Sequence, residues 1–475
     1  MNALTVWKAA SATIDAPQRR FMAALWGLLT LASIAFLQAR GMGVFVVMPY
    51  AFGMAFWWAF VAARALLVQR DARSLCIPGV DQTIVASLLL QYALSVLLPA
   101  ALLALAGKAD FQRGAAFLSC IVTLSLLFQA LPRYLGAFLA ILPACMQILH
   151  SHGLIPGLSE PGFVSFGWSF AALTMAIVVW RWVAALDTQP DCASWTTPLV
   201  LQAPRKVGMG ATLNNWDALV GADRNGLSRL ALLDGADRRS AVHALRVWLG
   251  GAFVPVGAQA RFGQVAIVVL PMLVVVALSL IGRNTASSWT FFVVFVGGAL
   301  FPLMIMSVAP ARLQRLHTDA SGELSLLALL PGIDSATAKR ALLTAALGLP
   351  IKALGLFYAF VVATTVMMRG DGATLLALTI GALAALAFGT VLSLSIVAAR
   401  PVPRAAMLLI CSLGLVLLFA TPIALVAGEQ GHALDFASNG LLAGWLTLYA
   451  MLAWLLVRGH GAYLRRPHAF LLNDR

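Results

Sequence analysis

Apolar runs of about 17 to 25 residues recur along the whole chain, each long enough to cross a hydrocarbon core about 30 Å thick as a helix. They fall at about 21 to 38, 44 to 68, 83 to 106, 115 to 131, 134 to 149, 163 to 185, 264 to 281, 288 to 309, 349 to 368, 374 to 399, 405 to 427 and 439 to 457. A helix is the open structure that satisfies its own backbone polar groups in lipid, so such runs leave little choice of secondary structure. Composition closes off the water-soluble alternative. Of 475 residues, 61% are hydrophobic and 11% charged, against about 25% charged in a soluble domain. The expected class is an all-α polytopic membrane protein with about twelve transmembrane helices.

The net charge of +14 would point to nucleic acid in a soluble chain, but here the basic residues sit between the apolar runs. They therefore report orientation. With a cytoplasmic N-terminus, the inner loops and tails hold 24 Lys and Arg residues and the outer loops hold 5: Arg40, Lys108, Arg113, Arg283 and Arg369. Arg64, Arg181 and Lys352 fall near the inner ends of their spans, where long side chains reach the interface. Both termini are expected in the cytoplasm. Asp15, Arg19 and Arg20 precede the first run with no small-residue cleavage site after it, so that run is expected to stay as a span. Arginine outnumbers lysine and alanine is abundant, which fits a GC-rich bacterial genome and an inner-membrane location.

The chain repeats itself. Leu4-Thr5-Val6-Trp7 and Gln18-Arg19-Arg20-Phe21 return, at one offset, as Leu245-Arg246-Val247-Trp248 and Gln259-Ala260-Arg261-Phe262. Each copy leads into the first span of a half. After the second span of each half come Pro78-Gly79-Val80-Asp81 and Pro331-Gly332-Ile333-Asp334, with the offset grown by twelve, as an insertion in the second copy requires. An even number of spans per half makes the repeats parallel. The expected organisation is a first six-span half over 1–185, a cytoplasmic linker over 186–263 and a second six-span half over 264–475. Val242, Leu245, Trp248 and Leu249 share one face of an interfacial helix, with Trp7 and Trp248 as its headgroup-depth anchors. The linker is either a plain connector or a docking surface.

Chemistry-bearing clusters are sparse. Cys76, Cys120, Cys145, Cys192 and Cys411 are scattered singly with no metal-ligand spacing. His150 and His152 with Glu160, and His432 with Glu429 and Asp435, lie on outer loops and read as ordinary polar loop residues before they read as ligands. No metal, cofactor or catalytic residue is assigned, and the chain is not expected to be an enzyme. Gly107-Lys108 lacks the upstream glycine and the following hydroxyl of a phosphate-binding loop, so ATP, if used, would bind another chain. Pro143 and Pro422 fall toward the outer ends of the fifth and eleventh spans, where each produces either a tolerated kink or a re-entrant turn.

The inner loop after the eighth span runs Ser321-Gly322-Glu323-Leu324-Ser325-Leu326-Leu327-Ala328-Leu329-Leu330-Pro331-Gly332-Ile333-Asp334. An apolar turn ending at Pro-Gly, followed by a helix capped by Asp334 or Ser335, forms a rigid elbow at the membrane face. This loop resembles the coupling loop of the permease subunits of type-2 ABC exporters, which typically reads Gly-Thr-x-Glu-x-Leu-Leu-x-x-Pro. Gly322 stands nine residues before Pro331, as that pattern asks, while the acidic residue is displaced to Glu323. The first half keeps Pro78-Gly79, with Asp71 upstream and Asp81 after. The resemblance implies that Gly322, Glu323, Leu326, Leu330, Pro331, Gly332 and Asp334, with Asp71, Pro78, Gly79 and Asp81, contact separate cytoplasmic ATP-binding cassette subunits. It also implies that one chain supplies both membrane halves of an exporter for a substrate that is not legible.

A secondary transporter of the major facilitator class shares the parallel halves and long central loop. Against it, no acidic residue falls in the middle of an expected span, and the facilitator loop motif is broken at Leu67 and Ala72.

Overall fold

The computed structural model describes residues 16–37, 47–105, 110–131, 160–187, 300–319, 335–367, 372–429 and 435–466, with isolated positions between them. All regular structure among these residues is helical. Eight of the helices are long and apolar enough to cross a membrane, as expected of an α-helical membrane protein. The expected spans at 134–149, apart from Leu149, and 264–281 lie outside the described residues, as does 288–296 of the span expected at 288–309. The chain divides into two compact units, Met1–Ala211 and Thr212–Arg475.

In the first unit, α1 (Ala16–Leu37) packs on α2 (Met48–Phe60). A single 3-10 turn, Ala62–Arg64, carries α2 into α3 (Ala65–Ser74), so that one apolar stretch, Pro49–Ser74, runs through all three. Gly53 makes the α1–α2 approach possible: a Cβ there would lie 2.9 Å from Cδ1 of Trp26. The Trp26 ring consequently lies 5.9 Å from Tyr50 and 5.7 Å from Trp57, within the range of favourable aromatic pairs. The next span is built of α4 (Val80–Tyr92), a π turn (Ala93–Leu97) and α5 (Leu98–Leu105). Then come α6 (Phe111–Ala130) and α7 (Phe163–Asp187).

α6 is the inner helix of this unit, touching α2, α5 and α7. Its buried residues include the small side chains of Ala115, Ala116, Ser119 and Thr123, which let neighbouring backbones come close, beside the larger Leu118, Val122 and Leu126. Without a hydrophobic drive between helices in lipid, polar contacts matter more. Thr174 of α7 donates to Thr123 (2.8 Å), and the Tyr92 and Ser119 hydroxyls share a 2.7 Å hydrogen bond.

The second unit contains α8 (Phe301–Asp319), α9 (Ser335–Met367), α10 (Gly372–Val397), α11 (Arg404–Glu429) and α12 (Asp435–Leu464). Here α10 is the inner helix, touching α8, α9, α11 and α12. Outward faces carry large apolar side chains, such as Leu356, Leu446 and Val457, where a bilayer would receive them.

One feature differs from the sequence reading. Hydropathy starts the ninth span near 349, but α9 begins at Ser335 and has 33 residues, about 50 Å of helix against a core of about 30 Å. Its first turns are an amphipathic extension: Ala338, Ala341, Leu342, Ala345 and Ala346 are buried against Leu245, Leu249 and Phe253. Lys339 and Arg340 dilute the local hydropathy and hide this extension from a sliding window. At Pro422 the sequence left two alternatives, and the described helix matches the tolerated one: Pro422 lies buried inside α11, which continues unbroken to Glu429. A kink-tolerant helix stands there instead of a turn. Beside it, Thr421 donates to the Leu417 carbonyl (2.7 Å) and accepts from Trp445 Nε1 (3.0 Å), a polar contact that ties α11 to α12 one residue before the proline.

Candidate functional site: the elbow between α3 and α4

The elbow starts where α3 stops. Cys76 takes a left-handed backbone (φ 53°), and its N–H bonds to the Arg73 carbonyl while the Ile77 N–H bonds to the Ala72 carbonyl. These are the two bonds of a Schellman cap, which satisfies the last carbonyls of a helix. Pro78 follows, and Gly79 has φ 76° and ψ 0°, the backbone of the third residue of a type II turn. α4 then begins at Val80. Both the N–H and the hydroxyl of Thr83 bond to the Gly79 carbonyl, at 3.3 and 3.1 Å. Pro78-Gly79 is thus a turn with its helix start fixed on both sides.

A polar chain ties this turn to the rest of the unit. Trp182 of α7 donates through Nε1 to Oε1 of Gln69 (2.7 Å), and Gln69 donates through Nε2 to Asp81 (2.8 Å). Arg73 also reaches Asp81 at 3.2 Å. Asp81 sits in the first turn of α4, where the helix dipole favours a negative charge. Around the chain pack Ala65, Val68, Val80, Ile84, Leu88 and Trp182. The elbow therefore moves with α3, α4 and α7 or not at all.

Among the described residues, no side chain ties down its tip in this way. Leu75 is 70% exposed and Ile77 50% exposed, and Cys76, Pro78 and Gly79 are exposed between them. An apolar, backbone-locked tip is suited to contact, and its one side-chain heteroatom is the exposed Cys76 thiol. Asp71 lies at the base, where its carbonyl accepts from the Ser74 hydroxyl (2.8 Å) and from the Leu75 N–H (3.0 Å).

Of the residues singled out from sequence, Asp71, Pro78, Gly79 and Asp81 are brought together here. Gly322, Glu323, Leu326, Leu330, Pro331, Gly332 and Asp334 lie outside the described residues, as do Trp7, Trp248 and Pro143. The apolar face expected around Trp248 is nonetheless visible in part. Val242, Leu245, Leu249 and Phe253 pack on α9, so those side chains are covered by protein. Among the described residues, no group of three His, Cys, Asp or Glu side chains converges as a metal site would need.

Sequence reasoning missed Gln69 and Trp182, because a lone amide and a lone tryptophan on apolar helices look like packing residues. It also missed a junction in the second unit. Lys339 donates to the carbonyls of Leu464 (3.0 Å) and Arg466, Tyr463 donates to the Lys339 carbonyl (2.9 Å), and Arg466 donates through Nη1 to the Val397 carbonyl. One end each of α9, α10 and α12 meets there. Arg466 is 6% exposed, and burial holds its guanidinium below the ordinary arginine range, opposed in part by neighbouring Tyr463.

Compared with known protein families, curated proteins and solved structures, the chain matches none.

Proposed function

We propose that this chain is the membrane-spanning permease component of an ATP-driven exporter, coupled through its inner loops to separate ATPase subunits. The observation that carries the reading is the elbow at 71–81. Its tip is apolar and exposed, its backbone is locked by two turn motifs, and its base is wired by Gln69 and Asp81 to a tryptophan of another span. Force applied to such a tip reaches three helices. A loop serving only as a connector gains nothing from that wiring.

On this reading the chain has twelve spans in two parallel halves, sits in a bacterial inner membrane with both termini in the cytoplasm, and binds no nucleotide itself. The packing supports the duplication. Counting expected spans within each half, α6 and α10 are both fourth, and each packs on the second, third and sixth spans of its own half. The sixth spans also end alike: Arg181 lies over the Trp180 ring at 5.9 Å, and Arg458 over the Trp454 ring at 5.4 Å. Such Trp–Arg pairs suit the basic, cytoplasmic interface. The second elbow, with Glu323 and Pro331, takes the partner's other copy.

The test is purification of the full chain in mild detergent, with and without Leu75→Asp and Ile77→Asp, followed by nucleotide-dependent transport in liposomes. An ATP-binding subunit should accompany the parent and be lost from the double variant, while membrane insertion is unchanged. Transport by the isolated chain on an ion gradient, with no nucleotide-hydrolysing companion, would overturn the reading and favour a secondary carrier.

A further inference from the structure

The third span of the first unit carries a break in its hydrogen bonding at one place. Pro99 has no N–H, so the carbonyl four residues earlier, that of Ser95, lacks its α-helical donor. The backbone responds with the π turn at Ala93–Leu97, in which the Leu98 N–H bonds to the Ala93 carbonyl, one residue further back than in an α-helix. The neighbouring span supplies what the helix cannot. Tyr50 of α2 donates its hydroxyl to the Ser95 carbonyl (2.6 Å), and Trp58 donates Nε1 to Ser95 Oγ (3.0 Å). One turn earlier, Trp57 donates Nε1 to Oε1 of Gln91 (3.1 Å). Tyr50, Trp57, Trp58, Gln91 and Ser95 are all buried, where a carbonyl without a donor is costly.

We propose that the third span is a hinge centred on Ser95, with the Tyr50 hydroxyl as its latch. The π turn holds one residue more than an α-helical turn would. Passing that residue along the helix turns the α4 arm by about 100° about its axis, from 3.6 residues per turn. Pro99 keeps the two hydrogen-bonding patterns close in energy, because neither gives the Ser95 carbonyl an N–H at position 99. Tyr50 selects the observed one. The arm that would turn is α4, which begins just after Gly79 and carries Asp81, so rotation withdraws Asp81 from Gln69 and releases the elbow. The hinge goes beyond the transport reading and does not depend on which agent drives it.

The experiment uses the full chain with its five native cysteines replaced and nitroxide labels at Val85→Cys on α4 and Leu102→Cys on α5, both lipid-facing sites at 54% and 56% exposure. Their separation along the helix is about 25 Å, within range of pulsed dipolar spectroscopy. The hinge requires Tyr50→Phe to broaden the distance distribution or add a second distance. Amides 93–97 should then exchange about fivefold faster, the worth of one buried hydrogen bond. Pro99→Ala restores a backbone donor to Ser95, so Pro99→Ala and Tyr50→Phe/Pro99→Ala should share one narrow distribution. A Tyr50→Phe distribution equal to the parent's, or a Tyr50→Phe effect undiminished by Pro99→Ala, overturns the proposal. If Tyr50→Phe does not fold, Pro99→Ala alone still decides: with alanine at position 99 supplying the donor to Ser95, its distance distribution should centre away from the parent's, and an identical distribution rejects the hinge.

Discussion

Gly381 of α10 lies against the carbonyl of Gly298, so closely that a Cβ on Gly381 would overlap that oxygen. The same carbonyl has Pro302 four residues on, with no N–H to offer it. Eight residues further along both helices the arrangement returns. Pro310 deprives the Met306 carbonyl of its α-helical donor, and a Cβ on Gly389 would lie 3.0 Å from that oxygen and 2.7 Å from Met306 Cβ. Each proline thus sits one turn from a carbonyl that a glycine of the inner helix covers, and the weak Cα–H contacts that glycine allows recur at close helix crossings. Gly389→Ala should therefore destabilise the second unit by about 1 to 3 kcal/mol through overpacking, and Gly381→Ala by at least as much. Gly414→Ala, where an added Cβ meets nothing within 4 Å, should be neutral or stabilising, since alanine is the better helix former. Thermal unfolding in detergent ranks the three. Equal melting temperatures for Gly389→Ala and Gly414→Ala would contradict the packing.

At the elbow, Gly79 has open space around its missing Cβ, so its requirement is purely one of backbone conformation. A left-handed residue other than glycine costs about 1 to 2 kcal/mol, with asparagine tolerated best. Gly79→Asn should perturb the elbow less than Gly79→Ala, and Gly79→Val most. Amide exchange at Thr83, whose N–H bonds to the Gly79 carbonyl, should accelerate in that order.

The two partners of Asp81 should differ in weight. Arg73 and Asp81 form an ion pair with both side chains about half exposed (49% and 51%), where screening leaves a few tenths of a kcal/mol, ~0.3. Gln69 is buried and bridges two groups, so Gln69→Leu strands the Trp182 N–H and removes a donor from Asp81, a loss of about 1 to 3 kcal/mol. Arg73→Ala should barely move the unfolding temperature and should lose even that effect in high salt. Gln69→Leu should lower it at any salt concentration.

These positions show what could be read from the chain and what could not. The expected spans at 44 to 68, 115 to 131, 163 to 185 and 374 to 399 coincide with helices, because hydropathy is a local property and the bilayer imposes its period. Pro78-Gly79 stood out as the counterpart of Pro331-Gly332 for the same reason: such a pair is written in adjacent residues. Partners distant in sequence were not. Trp182 is 113 residues from Gln69, and Tyr50 is 45 from Ser95, and no periodicity links such positions. Prolines were visible as interruptions, but whether one becomes a kink, a π turn or an uninterrupted helix depends on which neighbour supplies the missing donor. At Pro99 that donor is the Tyr50 hydroxyl, which reaches the Ser95 carbonyl from a neighbouring span.

Ala399 closes α10 with φ 49°, and around it the Arg400 N–H bonds to the Ser395 carbonyl and the Ala399 N–H to the Ile396 carbonyl. This is a Schellman cap with alanine where glycine is preferred. Ala399→Gly should stabilise the second unit by about 1 kcal/mol, offset slightly by the added freedom of the unfolded chain. A fall in the unfolding temperature would mean that the exposed Ala399 methyl makes a contact that outweighs its strained backbone.

The same cap abuts the junction made by Lys339, Tyr463 and Arg466, and the order of its variants follows from charge. Arg466 brings a buried, charge-assisted hydrogen bond to the Val397 carbonyl, whereas Tyr463 brings a neutral one to the Lys339 carbonyl. Arg466→Ala should cost about 2 kcal/mol and Tyr463→Phe about 1 kcal/mol. Because both bonds hold the end of α12 against neighbouring helices, losing one should loosen the geometry of the other, and the double variant should fall short of the sum. Amide exchange over 395–400 separates this from a diffuse loss of stability. It should rise with Arg466→Ala, whose partner is Val397, and much less with Tyr463→Phe. If both variants raise it equally, the three helix ends share no specific junction and merely lie side by side.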